Sequence, residues 1–125
     1  MTISIQMVVF ILLIHFLGDF ALQTSEQATN KSSSNYFLFM HVATYSAVWF
    51  IAMYGMTGIW QLSFCFAWAT FGMHYITDYI TSRLSKKFFE AKDYHNGFVV
   101  VGFDQVLHLM QLVFTYVSLS QVRWW

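Results

Sequence analysis

Residues 60–82 read WQLSFCFAWATFGMHYITDYITS, a mostly apolar run in which Asp78 is the only Asp, Glu, Lys or Arg. The run is as long as the roughly 20 residues that a helix needs to cross the hydrocarbon layer of a membrane. Its apolar residues do not alternate with polar ones, which argues against a transmembrane strand. Residues 60–82 are therefore predicted to form a membrane-spanning helix.

Three further stretches have the same character, at residues 3–23, 36–54 and 98–120. The whole chain of 125 residues is 58% hydrophobic and only 10% charged, whereas soluble domains carry about 25% charged residues. We therefore predict an all-α fold, an integral membrane four-helix bundle. A single transmembrane domain is expected to cover residues 1–125. The short link between the second and third spans favours antiparallel packing of that pair.

The composition excludes several classes of protein. A disordered chain needs low hydrophobicity, and a disulfide scaffold needs more cysteines than Cys65 alone. Six basic and six acidic residues give a formal net charge of zero, so no positive excess is available to bind nucleic acid. The expected partner is the lipid bilayer, with a second copy of the chain or a host membrane protein as further candidates.

Two polar loops, residues 24–35 and 83–97, separate the spans and contain five of the six basic residues. Basic residues concentrate on the cytoplasmic side of membrane proteins. Both loops are therefore predicted to be cytoplasmic and both termini to lie outside. The expected location is the bacterial inner membrane.

Three of the predicted spans each carry an aspartate with a histidine four positions away. The pairs are His15 with Asp19, His74 with Asp78, and Asp104 with His108. Residues four apart share one face of a helix, and the second span adds His41. An aspartate at the centre of a membrane helix costs about 2.5–3.5 kcal/mol on the insertion scale, so three of them indicate a functional site.

These seven side chains are expected to lie at one level, although successive helices alternate in direction. Histidine precedes aspartate in the first and third spans, and the order is reversed in the fourth. At 1.5 Å per residue, all seven lie within about 6 to 16 Å of the cytoplasmic end of their spans. Because lipid does not tolerate such groups, they should face inward and form one layer.

Four imidazoles and three carboxylates are typical ligands of Zn, Mn or Fe. All six basic residues lie outside the predicted spans, so no Lys or Arg counter-ion is expected in the layer. We predict a divalent metal site with the ligands His15, Asp19, His41, His74, Asp78, Asp104 and His108. The candidate catalytic residues are Asp19, Asp78 and Asp104, as metal ligands or as the general base of a hydrolysis.

Other polar residues near the same faces are interpreted as ordinary interhelical hydrogen-bonding groups. They are Gln23, Thr70, Thr77, Gln105 and Gln111. His95 lies in a polar stretch between the third and fourth spans and is interpreted as a surface residue.

Three motifs together resemble an uncharacterised family of small multi-pass membrane proteins of bacteria and phages. The motifs are His15-x3-Asp19-x2-Leu22-Gln23, His74-x3-Asp78 and Asp104-Gln105-x2-His108. This resemblance implies the architecture and brings no established activity with it. A looser similarity to predicted membrane-bound metal-dependent hydrolases implies hydrolysis of a phosphate or lipid-linked ester.

Three other functions fit the same residues. Intramembrane His and Asp occur in proton and ion pathways and in transporters, although the outer half of the spans offers no matching polar track. Facing histidines can also bind haem. A non-enzymatic phage or bacterial membrane factor that binds a host membrane protein would require no chemistry at all.

Overall fold

The computed structural model describes residues 3–124, and these residues form helices and turns without a strand. The all-α prediction is therefore confirmed for this part of the chain. The elements are α1 (Ile5–Phe16), a π-helical turn (Leu17–Ala21), α2 (Ser25–Asn30), α3 (Asn35–Thr57), α4 (Trp60–Glu90) and α5 (Tyr94–Leu119).

The four long helices form a bundle in which α4 packs between α3 and α5, and α1 closes the bundle against α3 and α5. The turn between α3 and α4 begins at Gly58, whose φ of +68° lies in the left-handed region that glycine adopts without steric cost. At the other end, the Asp93 side chain caps α5 by accepting a hydrogen bond from the backbone N–H of Asn96. These short turns make α3, α4 and α5 antiparallel neighbours.

The two polar segments at residues 24–35 and 83–97, which we call the connectors, are more helical than the sequence suggested. Helix α4 continues to Glu90, so much of the predicted loop at residues 83–97 is helix. In the other connector, α2 begins with a capping box in which the Thr24 and Gln27 side chains each bond the other's backbone N–H. The prediction of two loops is wrong at these positions, because hydropathy reports where apolar residues end and not where helical hydrogen bonding ends.

Two of the described helices, α3 and α5, are long and apolar enough to cross a membrane, judged by length and composition. The segment Ile5–Ala21, which joins α1 to the π turn, is a shorter apolar helix. Helix α4 combines an apolar half with a polar end that contains Arg83, Lys86 and Lys87. Membrane spanning therefore stays a prediction for all four helices of the bundle.

The interior of the bundle has two different halves along its axis. Toward the connectors, the buried side chains are mainly His and Asp. Toward the α3–α4 turn, the interior contains an apolar core made of Ile11, Tyr45, Trp49, Met53, Leu62, Phe66 and Leu112, together with buried polar side chains such as Ser63, Thr70 and Gln111.

The π turn at Leu17–Ala21 lies where α1 meets the polar half of the interior. Single π turns are uncommon and occur frequently at functional sites, and this one contains Asp19, which is only 2% exposed. Gly18 permits the close approach of Tyr45, because a Cβ added at Gly18 would lie 2.8 Å from Tyr45 Cδ2. The turn therefore carries both an acidic group of the interior and the contact that places Tyr45.

The substitution Gly18→Ala should force the buried Tyr45 ring to shift. We expect a loss of about 1–3 kcal/mol in the free energy of unfolding, as for other overpacked cores, measured by unfolding of the protein in detergent micelles. Gly72→Ala on α4 is the matched control, because within residues 3–124 no atom beyond its own helical turn lies within 4 Å of the added Cβ. Equal stability of the two variants would contradict the packing role of Gly18.

Candidate metal centre

Two histidine nitrogens and two carboxylate oxygens converge where the π turn, α3 and α4 meet. His41 Nε2 lies 3.0 Å from Asp19 Oδ1, 3.4 Å from Asp78 Oδ2 and 3.2 Å from His74 Nε2. His74 Nε2 lies 3.5 Å from Asp19 Oδ1 and 3.4 Å from Asp78 Oδ2. None of the four residues is more than 2% exposed. We call Asp19, His41, His74 and Asp78 the primary cluster.

The spacing within the primary cluster fits a four-coordinate cation. Zinc bonds of about 2.0–2.1 Å to N and O give ligand-to-ligand edges of about 3.3–3.4 Å in a regular tetrahedron. The N–O and N–N separations within the primary cluster are 3.0 to 3.5 Å, which is close to that value. Two imidazoles with two carboxylates suit the divalent metals that the sequence predicted.

Ring stacking holds the His74 imidazole in place. Its centroid lies 4.0 Å from that of Tyr45 and 4.1 Å from that of His108, with both pairs nearly parallel. The Nδ1 atoms of His41 and His74 are buried and have no hydrogen-bond partner among residues 3–124. Packing, rather than a hydrogen bond at Nδ1, therefore aims His74 Nε2 at the carboxylates.

His108 and Asp104, both on α5, extend the cluster on its other side. His108 Nε2 lies 2.9 Å from Asp78 Oδ1 and 3.3 Å from Asp104 Oδ1, and the Thr81 hydroxyl donates a hydrogen bond to Asp104 Oδ1. Asp104 is the most open of the three aspartates, with a side chain that is 13% exposed against 3% for Asp19 and 2% for Asp78. It therefore forms the accessible edge of the site.

His15 takes part in a hydrogen-bond chain that runs alongside the cluster. Its Nε2 lies 2.7 Å from Gln105 Oε1, and its Nδ1 lies 2.7 Å from the Tyr45 hydroxyl. Since the Gln105 amide nitrogen donates to Asp19 Oδ2 and Asp104 Oδ2, its oxygen must accept, which assigns the His15 proton to Nε2. Both ring nitrogens are then occupied, and His15 Nε2 stays 3.8 Å from Asp19 Oδ2. This geometry favours an orienting role over metal ligation.

Lys31 enters the site from the connector side, a position that the sequence pattern does not predict. Its Nζ donates a hydrogen bond to Asp78 Oδ2 at 2.9 Å, and it lies 3.3 Å from His41 Nε2 and 4.0 Å from Asp19 Oδ1. Burial lowers the pKa of Lys31, but the attraction of Asp78 and Asp19 outweighs burial and holds that pKa above its usual range. The expectation that no Lys or Arg counter-ion lies in the layer is wrong, because the connector folds back against the bundle.

Helix α2, which packs against α3, and a hydrogen bond between the turn after α2 and α4 set the position of Lys31. The capping box of Thr24 and Gln27 starts α2, and the backbone N–H of Lys31 closes it by donating to the Gln27 carbonyl. The next residues are tied to α4, where Lys86 Nζ donates to the Ser33 hydroxyl at 2.6 Å. The Thr24-x-x-Gln27 pattern is visible in the sequence and predicts this helix start, although it does not predict where Lys31 points.

The remaining polar residues have simpler surroundings. Gln111 donates hydrogen bonds to Thr115 and Thr70, as expected for ordinary bonding within and between helices. His95 is exposed near the start of α5 and lies apart from the cluster. Gln105 is different, because its single amide group contacts His15 and two aspartates. The interpretation of Gln105 as an ordinary interhelical hydrogen-bonding group is therefore incomplete.

A cavity of about 190 Å³ opens beside the cluster. A neighbouring depression shares Lys31, Ser82 and Ser85 with the cavity and reaches Lys86 near the connector-side surface. Within the described part of the chain, Gln23 Oε1 and Ser82 Oγ are buried without a hydrogen-bond partner. The polar groups that line the cavity include Asp19, Gln23, Lys31, Asp78, Thr81, Ser82, Asp104 and Gln105.

The fold and the cluster define a helical bundle protein with a buried His/Asp group that can hold a metal. The sequence model described as "Protein of unknown function (DUF3307)" matches residues 7–124, and the chain belongs to this family. No curated protein and no solved structure matches the chain. The predicted membership of an uncharacterised family is confirmed, whereas the similarity to hydrolases stays a prediction.

Replacing Lys31 by methionine should remove a charge that competes with a metal ion. Like charges about 4 Å apart repel by about 4 kcal/mol at an effective dielectric constant of 20. We therefore expect Lys31→Met to bind Zn²⁺ at least about tenfold more tightly, measured by titration calorimetry. Without metal the variant should unfold at a lower temperature, because its aspartates lose their counter-ion.

Lys87→Met is the control for this change. Lys87 is exposed at the polar end of α4, so its loss should change neither the zinc affinity nor the stability appreciably. Weaker zinc binding by Lys31→Met than by the wild type would mean that Lys31 assists the ion instead of competing with it.

Proposed function

We propose that the protein is an integral membrane protein that binds a divalent metal ion in the primary cluster. The observation that carries this proposal is the convergence of four buried donor atoms, each within 4.8 Å of the others. Asp19, His41, His74 and Asp78 would hold Zn²⁺, Mn²⁺ or Fe²⁺. Buried carboxylates are costly unless they are paired or coordinate a metal, and a divalent ion would complete the pairing that Lys31 begins.

The distribution of side chains between surface and interior supports a lipid environment. Phe114 is 73% exposed, Ile51 70% and Trp68 69%, whereas His41 and Asp78 are at most 1% exposed. Water-soluble proteins tend to bury large apolar side chains and rarely bury unpaired acids. In a bilayer, large apolar side chains can face outward and charged ones are buried, because lipid solvates apolar groups and does not solvate charges.

The geometry gives less support to two of the alternative functions. The Nε2 atoms of His41 and His74 are 3.2 Å apart, which leaves no room for a porphyrin between the two rings. Trp49 and Phe66 pack together in the apolar half with ring centroids 5.1 Å apart. A polar pathway through the whole bundle would have to cross that apolar half.

We further propose that the chemistry is hydrolysis of a phosphate or lipid-linked ester. A bound divalent ion would lower the pKa of a water ligand and polarise a phosphoryl oxygen. Asp104 lines the cavity and is the most accessible carboxylate, so it is placed to accept a proton there. The Lys31 ammonium borders the same cavity and is suited to bind an anionic oxygen of the ester.

Elemental analysis of the purified full-length protein tests the metal centre. We expect at least one Zn, Mn or Fe per chain, and a rise in the unfolding temperature when metal is restored to chelated protein. His74→Gln should lose most of the metal, because it removes one ligand of the primary cluster. His95→Gln, at an exposed histidine away from the cluster, should keep it. A wild-type protein that neither contains nor responds to these metals would contradict the proposal.

Cysteine labelling tests the membrane topology. Cys65 is the only cysteine, so Cys65→Ser provides a background into which Lys92→Cys or Arg123→Cys is introduced. In intact bacteria, a membrane-impermeant maleimide should label Arg123→Cys and not Lys92→Cys, since the connectors are predicted to be cytoplasmic. The opposite labelling pattern would mean that the predicted topology is inverted. Release of the protein from membranes by alkaline carbonate would contradict membrane integration.

A further inference from the structure

The two oxygens of Asp78 face two different sets of histidines. Oδ2 lies 3.4 Å from the Nε2 atoms of both His41 and His74, within the primary cluster. Oδ1 lies 2.9 Å from Nε2 of His108, which belongs to α5. A carboxylate with a nitrogen donor beside each of its oxygens is arranged as a bridge between two sites.

Asp19 is shared in a similar way. Its Oδ1 contacts the two histidines of the primary cluster, whereas its Oδ2 accepts a hydrogen bond from Gln105 on the α5 side. Asp19, Asp104 and His108 each offer a donor atom, and these three atoms lie within 4.8 Å of one another. A second group of donors therefore adjoins the primary cluster and shares Asp19 with it.

We propose that the site binds two divalent cations bridged by the carboxylates of Asp19 and Asp78. His41 and His74 complete the binding of the first ion, and His108 and Asp104 complete that of the second. This inference rests on the proposed metal centre and extends it. Paired ions about 3.5–4 Å apart are a common arrangement for displacement reactions at phosphate esters.

The charge of the site indicates that the second ion binds together with an anion. With the histidines neutral, which is the state in which they bind a metal, the carboxylates of Asp19, Asp78 and Asp104 carry three negative charges and Lys31 carries one positive charge, so a single divalent ion neutralises the group. A second divalent ion leaves two positive charges in a buried position, which is costly without compensation. Hydroxide or a phosphate oxygen would supply that compensation.

The cavity lies where such an anion would bind. Of the four ligands that the two ions do not share, only Asp104 lines this cavity, so the cavity lies on the side of the second ion. Gln23 Oε1 also lines the cavity and is buried without a hydrogen-bond partner among residues 3–124. That oxygen can accept a hydrogen bond from metal-bound water or from a protonated phosphate. At about 190 Å³ the cavity is larger than a single water molecule needs, so it has room for a phosphate group beside the second ion.

Manganese binding to the full-length protein in detergent tests this proposal. We expect two Mn²⁺ ions per chain, and a low-temperature electron paramagnetic resonance spectrum of two coupled ions when both are bound. Inorganic phosphate at a fixed concentration should tighten the weaker site by about tenfold, within the usual range of coupling between ligands. The tighter site should change much less.

Variants on α5 separate the two ions. Asp104→Asn and His108→Gln should each keep the tight ion, lose the weak one and show the spectrum of isolated Mn²⁺. Thr115→Val, a buried change on the same helix at a residue bonded to Gln111, should keep both ions. Because the two variants change different ligands, the test still works if one of them misfolds. The number of ions bound by the wild type is measured independently of both variants.

The possible failures are distinguishable. A wild type that binds one ion, unchanged by Asp104→Asn and His108→Gln, would overturn the two-ion proposal and leave the metal centre intact. Two ions in the wild type and in both variants would overturn the assignment of Asp104 and His108 as ligands. Binding of no ion to any form of the protein would overturn the proposed function itself.

Discussion

The compensation of buried negative charge is the constraint on which the site depends. Asp19 and Asp78 are 2% and 1% exposed, in a bundle whose outer surface is largely apolar, so water cannot stabilise their charges. Lys31 supplies one positive charge from the connector, by donating a hydrogen bond to Asp78. With the histidines neutral, as metal binding requires, negative charge remains in the cluster and is the physical basis for binding a divalent cation.

The two halves of the interior contribute differently to the protein. The apolar half buries large side chains such as Trp49 and Phe66 completely, and burial with tight packing stabilises the bundle. The polar half gains little stability from burial, because its charged groups lose hydration free energy and recover it only through interactions with one another. The apolar half therefore holds the helices in the register that the polar half requires.

The level of the cluster was predictable from the sequence, whereas its full membership was not. Regular helices fix the rise per residue, so the reversed order of Asp104 and His108 on α5 implied that they lie at the level of the other pairs, and the 2.9 Å separation of His108 Nε2 and Asp78 Oδ1 agrees. Lys31 could not be found in this way, because its position depends on tertiary contacts of a polar connector, including Lys86 with Ser33. Hydropathy treats such a segment as solvent-exposed.

Sequence spacing also could not assign the role of each histidine. The four-residue spacing of His15 and Asp19 resembles that of His74 and Asp78, yet His15 Nε2 lies 2.7 Å from Gln105 Oε1 and 3.8 Å from its own aspartate. The π turn that follows α1 changes the helical register just before Asp19. One Gln105 amide then orients His15 through its oxygen and two aspartates through its nitrogen. Such an amide can aim the carboxylates of a metal site without touching the metal, so the division into ligands and orienting groups follows from tertiary hydrogen bonds.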